Sequence, residues 1–134
     1  MSSHSEGKPM LHIVYIGIGG FIGTVSRYLL SRFLNNILPP FPLGTLAVNI
    51  IGSLLIGFIL YSISLGKNLS PETRDFITIG LIGGFTTMSA FAYESFRLLE
   101  LKEITFFALN ICLNIILSLA AVYAGKELAI LFNK

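Results

Sequence analysis

Four long apolar runs, separated by short polar corners, constrain this chain more than any other feature. About 20 apolar residues cross the hydrocarbon core of a bilayer as a helix, and lipid offers no partner to a loose backbone. The first run extends from Leu11 to Leu30 and carries Arg27 within its last two turns. The second, Leu43 to Leu65, and the fourth, Ile104 to Gly125, contain no charge. The third, Phe76 to Tyr93, is uncharged and sits between Asp75 and Glu94. No run alternates apolar with polar at period two, which excludes a membrane barrel. Charged residues make up 12% of the chain, against about 25% in soluble domains, too few to cover a water-soluble core. The expected fold is therefore an all-α membrane protein of four transmembrane helices per protomer, one domain over residues 11–134. Residues 1–10 are polar and small and read as a disordered lead. No Ala-x-Ala-like site follows them, so they do not read as a signal peptide.

The corners are short. Residues 35–42 contain Pro39, Pro40 and Pro42, which cannot continue a helix. Gly66 to Ser70 ends one helix with glycine and offers Ser70 as the next N-cap, with Pro71 at the first helical position. Leu99 to Glu103 is a charged, solvated corner. Tyr15, Tyr61 and Tyr123 near segment ends make a weak aromatic belt. With four spans, both termini share a side with the middle corner. That side carries Lys8, Lys67, Arg74, Lys126 and Lys134; the other carries Arg27, Arg32, Arg97 and Lys102. The Lys/Arg bias that orients membrane proteins is nearly zero here. A chain without an orientation signal can insert both ways, and two opposite copies can pair as an antiparallel dimer.

Glycines and polar residues at membrane depth carry the remaining information. Gly19 and Gly23 form a small-xxx-small pair that lets two helices touch backbone to backbone. The neighbouring Gly17-Ile18-Gly19-Gly20-Phe21-Ile22-Gly23 is no dinucleotide loop, because its sixth position is Ile22 and no strand–helix unit surrounds it. In the third run, Gly80, Gly83 and Gly84 are followed by Thr86, Thr87 and Ser89, a combination that weakens a helix at mid-membrane. Broken backbone is tolerated there only when buried or lining a cavity, where freed carbonyls bind cations and freed amides face anions. The alternative is a continuous helix whose hydroxyls bond to the preceding turn. Asn49 stands seven residues into an otherwise apolar run, and Asn110, Asn114 and Ser118 share one face of the fourth. These groups form either a stripe of uncharged donors or interhelical glue. Arg27 and Glu94 lie where a charge either snorkels to the interface or serves an aqueous mouth.

Three motifs in order, covering Ile16 to about Gly125, resemble the small bacterial fluoride channels called Fluc or CrcB. They are Gly19-Gly20-x-x-Gly23-x-x-x-Arg27-Tyr28, then Pro42-x-Gly44-Thr45-Leu46-x-x-Asn49-x-x-Gly52, then Gly83-Gly84-Phe85-Thr86-Thr87-x-Ser89-x-Phe91. The resemblance implies a third helix broken near its middle and an antiparallel dual-topology homodimer with two fluoride pores. It also implies a structural sodium ion on the two-fold axis, held by the backbone carbonyls of Gly83 and Thr86. It assigns Asn49, Thr87, Met88, Ser89, Phe91, Asn114 and Ser118 to the fluoride pore, and Arg27 and Glu94 to the vestibules. Methionine at position 88 departs from the family, which usually has phenylalanine there and at the position of Phe91.

The expected function is a passive fluoride-selective channel that exports fluoride and confers fluoride resistance, in the bacterial cytoplasmic (inner) membrane. Its expected partners are fluoride, an identical protomer and lipid. Nine cations spread along the chain give no concentrated basic face, so nucleic acid is not expected. A dual-topology multidrug or guanidinium exporter also has four helices, but needs a carboxylate within the first one; Glu6 lies outside it. A non-conducting assembly subunit would need no helix break. No nucleophile–base or metal-ligand cluster suggests an enzyme. The single Cys112, within an apolar run, reads as a packing residue.

Overall fold

The computed structural model describes the backbone of residues 2–134 and the side chains of residues 9–134. Among the described residues, four helices are long and apolar enough to cross a membrane. The first span, Pro9–Asn35, belongs to α1 (Ser2–Asn35), and the second is α2 (Leu43–Ser64). The third, Pro71–Glu100, is composite: α3 (Pro71–Asp75), a π-helical stretch (Phe76–Ile82), α4 (Gly83–Phe85) and α5 (Met88–Glu100). The fourth is α6 (Ile104–Phe132). The 22 residues of α2 reach the length required, since about 1.5 Å per residue must cover about 30 Å of hydrocarbon. From Ser2 on, α1 takes in the backbone of the lead expected over residues 1–10, Glu6 included, although the apolar span begins only at Pro9; the side chains of residues 1–8 lie outside the described residues. α6 runs past Gly125 through Lys126 and Glu127, because a helix leaving the bilayer needs no apolar residues to continue.

Local chemistry sets the ends. The Gly44 N–H, at the start of α2, is capped from a distance by Oδ1 of Asn35, 2.8 Å away. This closes the proline-rich corner onto the end of α1. Gly66 adopts φ +107°, a left-handed turn that an L side chain rarely tolerates. Ser70 then caps α3 by accepting from the Thr73 N–H, with Pro71 in the first turn, as the sequence signals.

Two backbone-on-backbone contacts hold the bundle. The glycines of α1 face those of the third span: a Cβ on Gly19 would lie 2.5 Å from the Phe76 carbonyl oxygen, and one on Gly80 2.5 Å from that of Ile16. Gly84 is similarly placed against Gly20. In lipid, where no hydrophobic force drives helices together, such close van der Waals contact is the main attraction. The second seam joins α2 to α6, where a Cβ on Gly57 would lie 2.5 Å from the Val122 oxygen. The inner core is small, with Val48, Leu98, Ala129 and Asn110 buried. Large apolar side chains such as Phe21, Leu119 and Phe132 point outward, as lipid or another protomer requires.

Candidate functional site

The third span breaks at two residues. Thr86 (φ −90°, ψ 159°) and Thr87 (φ −152°, ψ 124°) are both extended, between the end of α4 and the start of α5. The continuous-helix alternative is thereby excluded. Side chains rather than helical partners satisfy the groups this frees. The Thr87 N–H donates to Asn49 Oδ1 at 2.9 Å, and the Thr87 carbonyl accepts from Asn49 Nδ2 at 3.2 Å. One asparagine on α2 thus pairs with both polar groups of one extended residue, as a neighbouring strand would. Ala90 N–H donates to Thr87 Oγ1 at 3.2 Å, which makes Thr87 the N-cap of α5. In an unbroken helix, Thr87 N–H would serve the Gly83 carbonyl and Ala90 N–H that of Thr86. Both amides are diverted, so both carbonyls are released. The Gly84 carbonyl, also released, accepts from Arg27 Nε at 3.1 Å.

Asn49 is the end of a longer chain of amides. Its Nδ2 also donates to Asn114 Oδ1 at 3.0 Å; Asn114 Nδ2 donates to Asn110 Oδ1 at 3.0 Å and to the Asn110 carbonyl at 2.8 Å. Asn110 Nδ2 in turn donates to Ser95 Oγ at 2.8 Å. Asn110 is completely buried, and Ser95 and Asn114 nearly so. The stripe and the glue weighed from the sequence coexist: Asn110 and Asn114 bind helix to helix, while Asn114 and Ser118 line a cavity.

That cavity has a volume of about 560 Å³ and lies between α2, the broken span and α6. It gathers Asn49, Thr87, Met88, Phe91, Asn114 and Ser118 around one space, with Gly83 and Thr86 on the same wall. Met88 is 74% exposed, at an open rim it shares with Ile115 and Leu119. Ser89 is not in the wall; its hydroxyl lies 3.4 Å from that of Thr87. Arg27 and Glu94 stand apart from the cavity and from each other. Glu94 accepts from the Thr45 hydroxyl at 2.7 Å and faces a smaller cavity of about 210 Å³ with Tyr93 and Arg97. Two polar wall residues escaped the sequence reading, Ser53 and Thr78. Ser53 had a signal: it stands four residues after Asn49, on the same helical face.

The polar atoms of the wall are amides, hydroxyls and carbonyls, with no charged side chain among them. Among the described residues no group of three His, Cys, Asp or Glu side chains could hold a metal. The oxygens in the wall include the released backbone carbonyls of Gly83 and Thr86. Proton transfer or nucleophilic attack has no candidate group here; the arrangement suits reversible contact with a small ion.

Comparison with known proteins agrees with this chemistry. Residues 14–126 match the family described as CrcB-like protein, Camphor Resistance (CrcB). The fluoride-specific ion channel FluC 1 of Methanosarcina acetivorans is 50% identical over 117 residues, 87% of this chain and 89% of that one. The fluoride-specific ion channel FluC of Bacteroides fragilis is 50% identical over 123 residues, 89% and 96% of the two chains. That of Campylobacter lari is 46% identical over 114 residues, 84% and 93%. These relatives are named as ion channels, not enzymes, and they come from archaea as well as bacteria.

Proposed function

The chain is a multi-pass membrane protein belonging to the CrcB family, and on that premise we propose that it is a passive, fluoride-selective channel exporting fluoride. The observation that carries this reading is the uncharged cavity of amides and hydroxyls beside a break at membrane depth, in a chain whose relatives are named fluoride-specific channels. Fluoride is small and holds its water tightly. A path for it must replace that water with donors, yet hold it weakly enough to let it leave. Neutral hydroxyls and the positive edge of the Phe91 ring meet both demands, on a wall that the amides hold in shape, where a buried lysine would trap the ion. Passive exit suffices for a cell. Hydrofluoric acid enters neutral from an acidic exterior and dissociates inside, and a negative interior then drives the anion out.

The functional unit in this reading is a homodimer of oppositely inserted copies in the cytoplasmic membrane. Two features support it: the near-zero Lys/Arg bias, and the open rim of the cavity at exposed Met88, Ile115 and Leu119, which a second protomer would close. A structural sodium ion fits the same unit. Gly83 and Thr86 each offer a released carbonyl, and the two-fold would double the pair to four hard oxygen donors. When bound, the ion supplies positive charge and ties the two breaks together. Arg27 meanwhile removes the Gly84 carbonyl from competition. The site roles given to Asn49, Thr87, Met88, Ser89, Phe91, Asn114 and Ser118, and the vestibule roles of Arg27 and Glu94, belong to this proposal.

The decisive experiment is fluoride efflux from liposomes holding the purified protein, with chloride as control. Rapid fluoride loss with chloride retained is expected. Equal loss of both ions, or of neither, overturns the proposal.

A further inference from the structure

We infer that Ser53, with Ser118, forms a two-hydroxyl anion station in the large cavity, one helical turn beyond the Asn49–Asn114 pair; this rests on the channel reading. Asn49 Nδ2 is committed to Thr87 and Asn114, and Asn114 Nδ2 to Asn110. The hydroxyls of Thr78 and Thr86 donate back to the carbonyls of Arg74 and Ile82. Thr87 Oγ1 already accepts from Ala90 N–H and lies close to Ser89. Among the described residues, no hydrogen bond engages the Ser53 or Ser118 hydroxyl, and the Thr87 hydroxyl has only Ser89, at 3.4 Å, to donate to.

The two serines also lie at one level. In a bundle of four successive spans, α2 and α6 run in the same direction. Their register is fixed at two points: Asn49 bonds Asn114, 65 residues later, and Gly57 touches Val122 at the same offset. Ser53 lies midway between Asn49 and Gly57, and Ser118 midway between Asn114 and Val122. They therefore share the 65-residue offset and face one another across the seam, both on the cavity wall. Gly57 and Gly125 bring the backbones of the two helices together just beyond this level. Two neutral hydroxyls on adjacent helices can both donate to one small anion without binding it as a charge would.

The test uses full-length protein in liposomes, with fluoride and chloride efflux measured for the parent and for Ser53→Ala, Ser53→Thr and Ser118→Ala. Dimeric assembly is followed by size-exclusion chromatography. Ser53→Ala is expected to slow fluoride about tenfold while assembling normally, in parallel with Ser118→Ala. Ser53→Thr keeps the hydroxyl and is expected to recover at least half of the parent rate. A role in packing alone predicts the reverse order, with the smaller alanine tolerated better than threonine. Fluoride flux in Ser53→Ala equal to the parent's overturns the station and leaves the channel intact. A parent that passes no fluoride overturns the channel reading, and the station falls with it.

Discussion

Replacing Asn49 with aspartate changes one atom of the side chain and reverses its chemistry. Oδ1 remains to accept from Thr87 N–H, but Nδ2 becomes an oxygen facing the Thr87 carbonyl and Asn114 Oδ1, at 3.2 and 3.0 Å. Two acceptors in a half-dry site then lose their donor, at about 1–3 kcal/mol each. Fluoride meets a further penalty. Two anions about 4 Å apart repel by about 4 kcal/mol at an effective dielectric constant of about 20. At about 1.4 kcal/mol per factor of ten, repulsion alone removes nearly three decades of occupancy. We expect fluoride efflux from Asn49→Asp liposomes to fall at least about 100-fold, read with a fluoride electrode. Asn49→Ala gains no charge but loses the bond from Thr87 N–H as well, at about 1–3 kcal/mol, so it should retain at least about ten times more flux than aspartate. Parent-like flux in Asn49→Asp would remove Asn49 from the ion's path. Equal residual flux in the two variants would mean that Asn49 acts through the break alone.

Three further outcomes are expected. In a Cys112-free variant, single cysteines placed at either terminus should label from both sides of the membrane; labelling from one side alone refutes dual topology. Gly80→Ala should abolish assembly, because its Cβ would lie 2.5 Å from the Ile16 carbonyl oxygen, whereas a Cβ on Gly83 meets only the Thr78 oxygen at 3.6 Å. Gly83→Ala should therefore leave the protomer folded, and a loss of dimer in that variant on chromatography would report a partner's backbone close to this glycine. Met88→Leu should conduct about as well as the parent, since the position is an exposed apolar rim, while Phe91→Ala should lose most flux with its ring edge. A dead Met88→Leu beside a normal Phe91→Ala would overturn both assignments.

The number of spans and their caps were legible because the bilayer admits few solutions. Pro42, Ser70 and Pro71 mark starts, and uncharged runs mark lengths. The break was legible as a clash between sequence and medium, since glycines and hydroxyls at mid-membrane leave backbone groups that something must satisfy. What satisfies them was not legible. Asn49 reads as a lone polar residue on α2, and nothing in its spacing reveals that its amide spans both polar groups of Thr87, 38 residues away. The Arg27 contact with Gly84, 57 residues away, is equally long-range. The π-helical stretch also left no clear mark. Its register depends on how Gly80 seats against Ile16 and Gly19, which is a tertiary fact.

The amide chain explains why so many polar groups can sit in one membrane bundle without charge. Every link points the same way: Thr87 N–H donates to Asn49, Asn49 to Asn114, Asn114 to Asn110, and Asn110 to Ser95. An amide that accepts at its oxygen becomes a better donor at its nitrogen, so links in series reinforce one another. Turning over any one asparagine would break the bonds on both of its sides and face like groups together. The three asparagines therefore act as one unit, anchored at Ser95 on α5 and ending on Thr87, the extended residue that precedes α5. Their donors are consumed in holding the break in shape. In the proposed channel, fluoride passing this wall would meet a fixed amide scaffold, and the hydroxyls beside it, free to rotate toward an ion and away again, are the groups that could follow its movement.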